Sequence, residues 1–204
     1  MDREQDKISY VSLSLDDHNV KTVAILLFES APSLFELMFG RQNFDALSQL
    51  VARARNCFSY RYITVAESQG EVVGMVVLIP GDRLQENADE REVFPLQQRL
   101  WLKLIRRWFL RYVLKQDFPA DSLYIGNLAV SPEYRNRGIG RQLLLRCMAE
   151  AERTGKSLFI SVDVENLRAQ KLYESLGFQV VEVKAIRGFG LRIGSRVLQL
   201  RDGS

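Results

Sequence analysis

The chain has 204 residues, 47% of them hydrophobic and 26% charged, which supports a sizeable buried core and excludes a disordered chain. The net charge of +3 is too small to argue for nucleic acid by itself, but it is uneven: residues 96–115 hold Arg99, Lys103, Arg106, Arg107, Arg111 and Lys115 with no acid, so that stretch alone is +6. Cys57 and Cys147, far apart in stretches that read as helical, fit reduced thiols. A charged amino terminus without an apolar signal region and the lack of any run near ~20 apolar residues point to a cytoplasmic chain with no membrane span.

Residues 8–15 alternate apolar and hydroxyl side chains and read as a first strand; Asp16 or Asp17 then caps a helix to about Phe28. His18, the sole histidine, reads as a surface residue. Pro32 opens one or two further helices up to Asn56. Tyr60–Glu67 and Glu71–Pro80 form an antiparallel hairpin around Ser68-Gln69-Gly70. Residues 81–122 then read as a helical insertion: a polar acidic run, followed by a helix from Pro95 to about Lys115 and a stop at Asp117-Phe118-Pro119. Beyond it the order is strand Leu123–Val130, helix Gly138–Arg153, strand Ser157–Asp163, helix Leu167–Ser175 and strand Phe178–Lys184. A last strand, Arg196–Arg201, follows a Gly-rich stretch over Gly188–Gly194. The whole reads as a single α/β (α+β) domain over residues 1–204, a mixed sheet with packed helices.

The segment after Val130 joins strand to helix through a basic, glycine-containing loop, Arg135-Asn136-Arg137-Gly138-Ile139-Gly140-Arg141. A helix's first turn exposes unpaired N–H groups and the positive end of its dipole, so it can hold a diphosphate largely by backbone. Gly138 and Gly140 allow close approach, and Arg135, Arg137 and Arg141 add positive charge. A nucleotide P-loop is excluded, because no Lys-Ser or Lys-Thr follows the glycines. A dinucleotide fingerprint fits poorly, because Leu143 occupies the third glycine position. The glycines alone are equally consistent with an ordinary loop and helix start.

A second element adds specificity. Asn166 is placed to cap a helix on which Ala169 and Tyr173 share one face, and Gly177 stops it. Each has a bland reading as cap, packing contact, core residue and stop, and their conjunction is the unusual part. Through LAVSPEYRNRGIGRQLL and NLRAQKLYESLGF, residues 123–178 resemble the GNAT superfamily of acetyl-CoA-dependent N-acetyltransferases. The resemblance implies a mostly antiparallel, twisted sheet flanked by helices, with the helical insertion between the third and fourth strands. It implies that Arg135, Asn136, Arg137, Gly138, Ile139, Gly140 and Arg141 surround the pyrophosphate of acetyl-CoA, the cosubstrate. Leu128, Ala129 and Val130 would bond the pantetheine arm through backbone. Asn166 would contact the cofactor, Ala169 lie beside it, and Tyr173 stand near the thioester sulfur.

The expected activity is direct acetyl transfer to a primary amine on a small molecule or protein, without a metal. Tyr173 is the expected general acid, since a phenol is protonated at neutral pH. The strand residues Tyr124-Ile125-Gly126-Asn127 carry no carboxylate where many family members have one, so Asp163 is the base candidate, its alternative being a solvated strand end. A non-catalytic acyl-CoA sensor is the competing function. In the insertion, Trp101, Leu104, Ile105, Trp108, Phe109 and Tyr112 are expected on one helix side and Arg99, Lys103, Arg106 and Arg107 on another. Packing on the sheet, a wall of the acceptor pocket, a homodimer contact and a membrane-surface helix all stay open. Glu86, Asp89, Glu90 and Glu92 are either an attractor for a cationic amine or a solvated loop.

Overall fold

The computed structural model describes residues 7–41, 43–110, 114, 117–188 and 191–201. Its strands are β1 (Ile8–Ser12), β2 (Ile63–Ser68), β3 (Glu71–Pro80), β4 (Ser122–Val130), β5 (Ser157–Asp163), β6 (Phe178–Gly188) and β7 (Leu191–Leu200), in one sheet of order β1-β2-β3-β4-β5-β7-β6. Every neighbouring pair is antiparallel except β4 and β5, which are parallel. The parallel pair needs a crossover, and the helix α6 (Ile139–Thr154) supplies it.

Side chains alternate along the strands, so the sheet has two covered faces. On one, Val65, Met75, Val77 and Ile79 meet α1 (Val20–Ser30), α2 (Pro32–Phe39) and α3 (Phe44–Val51) through Leu27, Phe35 and Leu47. On the other, Val76, Leu123 and Ile125 meet Leu143, Leu144 and Cys147 of α6, and Tyr173 of α7 (Leu167–Glu174). The insertion contributes the short α4 (Glu90–Val93) and α5 (Leu96–Ile105), continued by a π-helical turn over Arg106–Leu110.

Several local expectations are corrected. Asn19, rather than Asp16 or Asp17, caps α1, accepting the amides of Lys21 and Thr22 at 2.9 and 3.3 Å; Asp17 is engaged by the Ser14 hydroxyl at 2.7 Å. His18 is buried, with Nδ1 accepting the Ser14 amide at 2.8 Å and Nε2 paired with Glu67. Cys57 lies in the irregular segment after α3, while Cys147 is in core on α6; burial pushes both thiols up to about 12. The Gly-rich stretch belongs to the β6–β7 hairpin instead of preceding the last strand. Gly194 is required there because a Cβ would stand 2.0 Å from the Lys184 carbonyl oxygen.

The helical part of the insertion packs on α2, while Phe118 at its end packs on Tyr124 of β4 and Phe159 of β5, with ring centres 4.6 and 5.2 Å apart. Gln98 Nε2 donates to the Met38 carbonyl at 2.6 Å, Trp101 Nε1 donates to the Leu37 carbonyl at 3.0 Å, and Phe94 stacks on Phe39 at 5.3 Å. On α5 the buried apolar positions are Leu102 and Ile105; Trp101, Leu104 and Trp108, expected on one side with Ile105, are exposed. Tyr112, Arg111 and Lys115 lie outside the described residues. Each acid of the run has an arginine partner within the chain; Asp89 and Glu90 are buried, whereas Glu92 stays exposed. Glu90 is held by Arg106, Asp89 by Arg55, Glu92 by Arg53 and Arg55, and Glu86 by Arg83. Asp89 also accepts the Arg55 amide at 2.6 Å and Asn56 Nδ2 at 2.9 Å, which ties the insertion to the end of α3.

The Arg106–Glu90 pair is mostly shielded, so removing one partner strands a desolvated charge. Arg106→Ala is expected to lower the unfolding free energy by about 3 kcal/mol in urea titration. A loss below about 0.5 kcal/mol would show the pair to be an ordinary surface contact.

Candidate active site

The site begins where two strands separate. β4 pairs with β5 from Ser122↔Ser157 to Ile125↔Ile160 and no further; β5 goes on to Asp163 beside β7, and β4 goes on to Val130 beside β3. The divergence coincides with a bulge in β4: Val77 faces Asn127 and Leu78 faces Ile125, so Gly126 is the extra residue. Such an insertion bends the strand and increases its twist. Beyond Ile125 the β5-facing edge of β4, over Leu128–Val130, therefore has no strand partner and presents backbone groups to a cleft.

α6 starts at the mouth of that cleft. Asn136 and Gly138 have φ of +64° and +80°, which folds the loop back so the helix can begin at Ile139. Gly138 is the N-cap and offers no side-chain cap, leaving the amides of Ile139, Gly140 and Arg141 uncapped. The Ile139 side chain is buried, seated over Gly74, where a Cβ would come within 3.3 Å of its Cγ2. The isoleucine thus contributes only backbone to the mouth, and Gly74 sets how low the helix end sits.

The surrounding charges are arranged against the helix dipoles. Arg141 is in the first turn of α6 and Arg168 in the first turn of α7, and neither turn holds an acid. A cation at a helix's positive end costs a few tenths of a kcal/mol or more. Two at neighbouring ends fit a site built for an anion. Arg168 donates to Asn136 Oδ1, joining α7 to the loop across the cleft. Arg135 Nε donates to the Val130 carbonyl at 3.0 Å, and the Arg137 guanidinium lies 4.8 Å from the Tyr134 ring centre, so both also fix the loop. Asn166 caps α7, accepting the Ala169 amide at 3.1 Å, and Ala169 packs beside the core. The open edge, uncapped amides and arginines together fit a ligand with a diphosphate and an extended amide-bearing arm. Among the described residues no cluster of His, Cys, Asp or Glu is placed to hold a metal ion.

Tyr173 is buried next to Phe178, with ring centres 6.2 Å apart. Burial pushes its phenol up to about 12, and the nearby Tyr124 phenol adds to the shift. Tyr124 is itself shifted upward by burial, with Ser161 beside it acting the other way. Ser161 follows the last residue of β5 that pairs with β4, and its buried hydroxyl lacks a hydrogen-bond partner of good geometry. Asn127 Nδ2 donates to Ser30 Oγ at 2.7 Å, bringing the end of α1 to the same strand. Asp163 is exposed, with Oδ1 accepting the Glu165 amide at 2.7 Å, so its carboxylate closes the turn into α7. Sequence reasoning missed Gly74, Tyr124, Ser161 and Arg168. Arg168 had a signal, a cation in a helix's first turn; the other three emerge only from strand register.

The model of the acetyltransferase (GNAT) family matches residues 27–178. The chain belongs to the GNAT acetyltransferase family. In sequence it is similar to the [ribosomal protein bS18]-alanine N-acetyltransferase of Escherichia coli K12, 38% identical over 65 residues. That match covers 31% of this chain and 44% of the enzyme, so the chain spans less than half the length of this relative. In structure it is similar to an N-acetyltransferase from Staphylococcus aureus Mu50, with TM-score 0.72, 20% identity, and 94% and 100% of the two chains covered. It also resembles a GNAT family acetyltransferase from Elizabethkingia anophelis with acetyl-CoA bound, with TM-score 0.55, 17% identity, and 96% and 99% covered. The GNAT fold accounts for the mixed sheet, its parted central strands and the flanking helices.

The two loop glycines do different work. Gly138 is needed for its positive φ, whereas a Cβ on Gly140 would meet Val130 and Leu128 at an ordinary 3.8 and 4.0 Å. Gly140→Ala should therefore leave thermal stability unchanged. Gly138→Val and Gly140→Val should each weaken coenzyme A binding by about ten-fold or more in calorimetry, by disturbing or crowding the helix mouth. Wild-type affinity in both valine variants would place the diphosphate elsewhere.

Proposed function

We propose that this GNAT chain transfers the acetyl group of acetyl-CoA directly to a primary amine. The observation that carries the reading is the cleft between β4 and β5, which brings an open strand edge, an uncapped helix end and a buried tyrosine together. Acetyl-CoA supplies an activated acyl group on a thiolate leaving group. The amides of Ile139, Gly140 and Arg141 hold the diphosphate, with Arg135, Arg137 and Arg141 around it and Arg168 alongside. The edge of Leu128, Ala129 and Val130 binds the pantetheine arm in the manner of an added strand, and one of its amides offers a hydrogen bond to the acetyl oxygen as charge develops there. Asn166 and Ala169 flank the arm from α7.

Tyr173 is the proposed acid. The new bond joins the amine nitrogen to the acetyl carbon, the carbon–sulfur bond breaks, and the phenol donates to the departing sulfur. The raised pKa keeps that proton in place: below about 12 the phenol is neutral and able to donate. Asp163 is an unattractive base because its oxygen serves the turn, so the amine's proton passes to water near Tyr124, Asn127 and Ser161. That Asp163 is engaged, with no carboxylate on Tyr124–Asn127, favours, as the second reading, an acyl-CoA sensor without turnover. The likeness to an alanine N-acetyltransferase of a ribosomal protein makes a polypeptide's amino terminus the first acceptor to test.

Tyr173→Phe should lower kcat by about 10²-fold with acetyl-CoA affinity nearly unchanged, measured as free coenzyme A release across an amine panel. Unchanged kcat removes the acid role, and no release with any amine by the wild-type chain favours the sensor. For an α-amine acceptor, the wild-type rate should rise as the acceptor loses its proton near pH ~8 and show no falling limb before about pH 10. A falling limb near neutrality would show that another group supplies the proton.

A further inference from the structure

The insertion carries a surface that acetyl transfer does not use. Leu96, Leu100 and Leu104 follow one another at intervals of one helical turn along α5, and Trp108 continues their line; they are 63%, 58%, 50% and 63% exposed. Trp101 borders the line at 44% exposure, with only its indole N–H tied down, to Leu37. Isolated exposed leucines are ordinary, but a continuous ridge of Leu and Trp on one helix is not.

The same element is strongly cationic. Arg99, Lys103 and Arg107 run along the flank of the ridge, and none of them is paired with a described carboxylate. Together with Arg91 they line a shallow depression of about 640 Å³ beside Leu96 and Leu100, in which Glu90 is already neutralised by Arg106. The ridge and its flank therefore ask for an apolar occupant with negative charge at its border. A second copy of this face would set like charges against one another. An anionic bilayer matches: acyl chains receive the leucines, the indoles sit at headgroup level, and phosphates enter the basic depression.

We propose that α5 and the turn after it dock the enzyme, in the plane of the interface, on membranes rich in anionic lipid. The chain's two tryptophans, Trp101 and Trp108, are both on this element, so intrinsic fluorescence reports it alone. The purified chain should float with vesicles of phosphatidylcholine and phosphatidylglycerol, and its tryptophan emission should shift to the blue. Vesicles of phosphatidylcholine alone should bind on the order of a hundred-fold more weakly, as should Arg99→Glu/Lys103→Glu/Arg107→Glu with anionic vesicles. Raising the salt should release the protein. Leu100→Ser/Leu104→Ser, whose side chains are exposed, should keep the wild-type melting temperature and coenzyme A affinity while losing flotation. Absence of flotation at low salt would overturn the proposal. So would a blue-shifted emission without lipid in a chain that sediments as a dimer, or an equal shift with soluble poly-glutamate.

Discussion

The structure depends on one constraint: β4 and β5 cannot remain paired beyond Ile125 and Ile160. Gly126 is one residue more than β3 can match, and the bulge it makes turns β4 away from β5, while β7 keeps β5 on its course. The bulge also preserves facing. Leu123 and Ile125 before it and Leu128 and Val130 after it all contact the α6 side, although the alternation would otherwise have reversed. One inserted residue therefore opens a cleft in the middle of a sheet without exposing the core beneath. A strand edge left bare on a protein's surface is a liability, and here it lies within a cleft, where the proposed function uses it as a binding surface.

The charges at the mouth follow from the same geometry. Because α6 and α7 both begin near the cleft, their positive ends converge, and the chain adds Arg141 and Arg168 where helix energetics alone would choose acids. That local instability is partly relieved by the bond from Arg168 to Asn136. At the closed end of the cleft, burial holds Tyr173 protonated through any working pH. In the proposed binding mode the ligand's anionic end meets amides and guanidinium groups, and its reactive end a proton donor in an apolar wall.

Much of this was legible because it rests on local chemistry. Strand Ser157–Asp163 was readable to the residue, and the Gly138–Arg141 and Asn166–Tyr173 motifs announce a cap, a helix start and a shared face in their spacing. What the sequence hid is long-range. The pairing that makes Gly126 a bulge, the partner that buries His18, and the convergence of Ser161 with Tyr124 all depend on strands far apart in the chain. The insertion misled for a related reason. Amphipathic periodicity shows that a helix has two faces without saying which is covered. Leu102 and Ile105 are covered because α2 lies there, and the acids are neutralised by arginines that the sequence places up to 39 residues away.

The uncapped amides at the start of α6 and the open edge of β4 are the proposed seat of the coenzyme. Amide hydrogen exchange with and without coenzyme A tests it most directly, since it reads backbone groups that no side-chain substitution removes. Exchange should slow at Ile139, Gly140 and Arg141 and along Leu128–Val130 when the coenzyme is present. Unchanged exchange at both places, with protection appearing on some other segment, would contradict it.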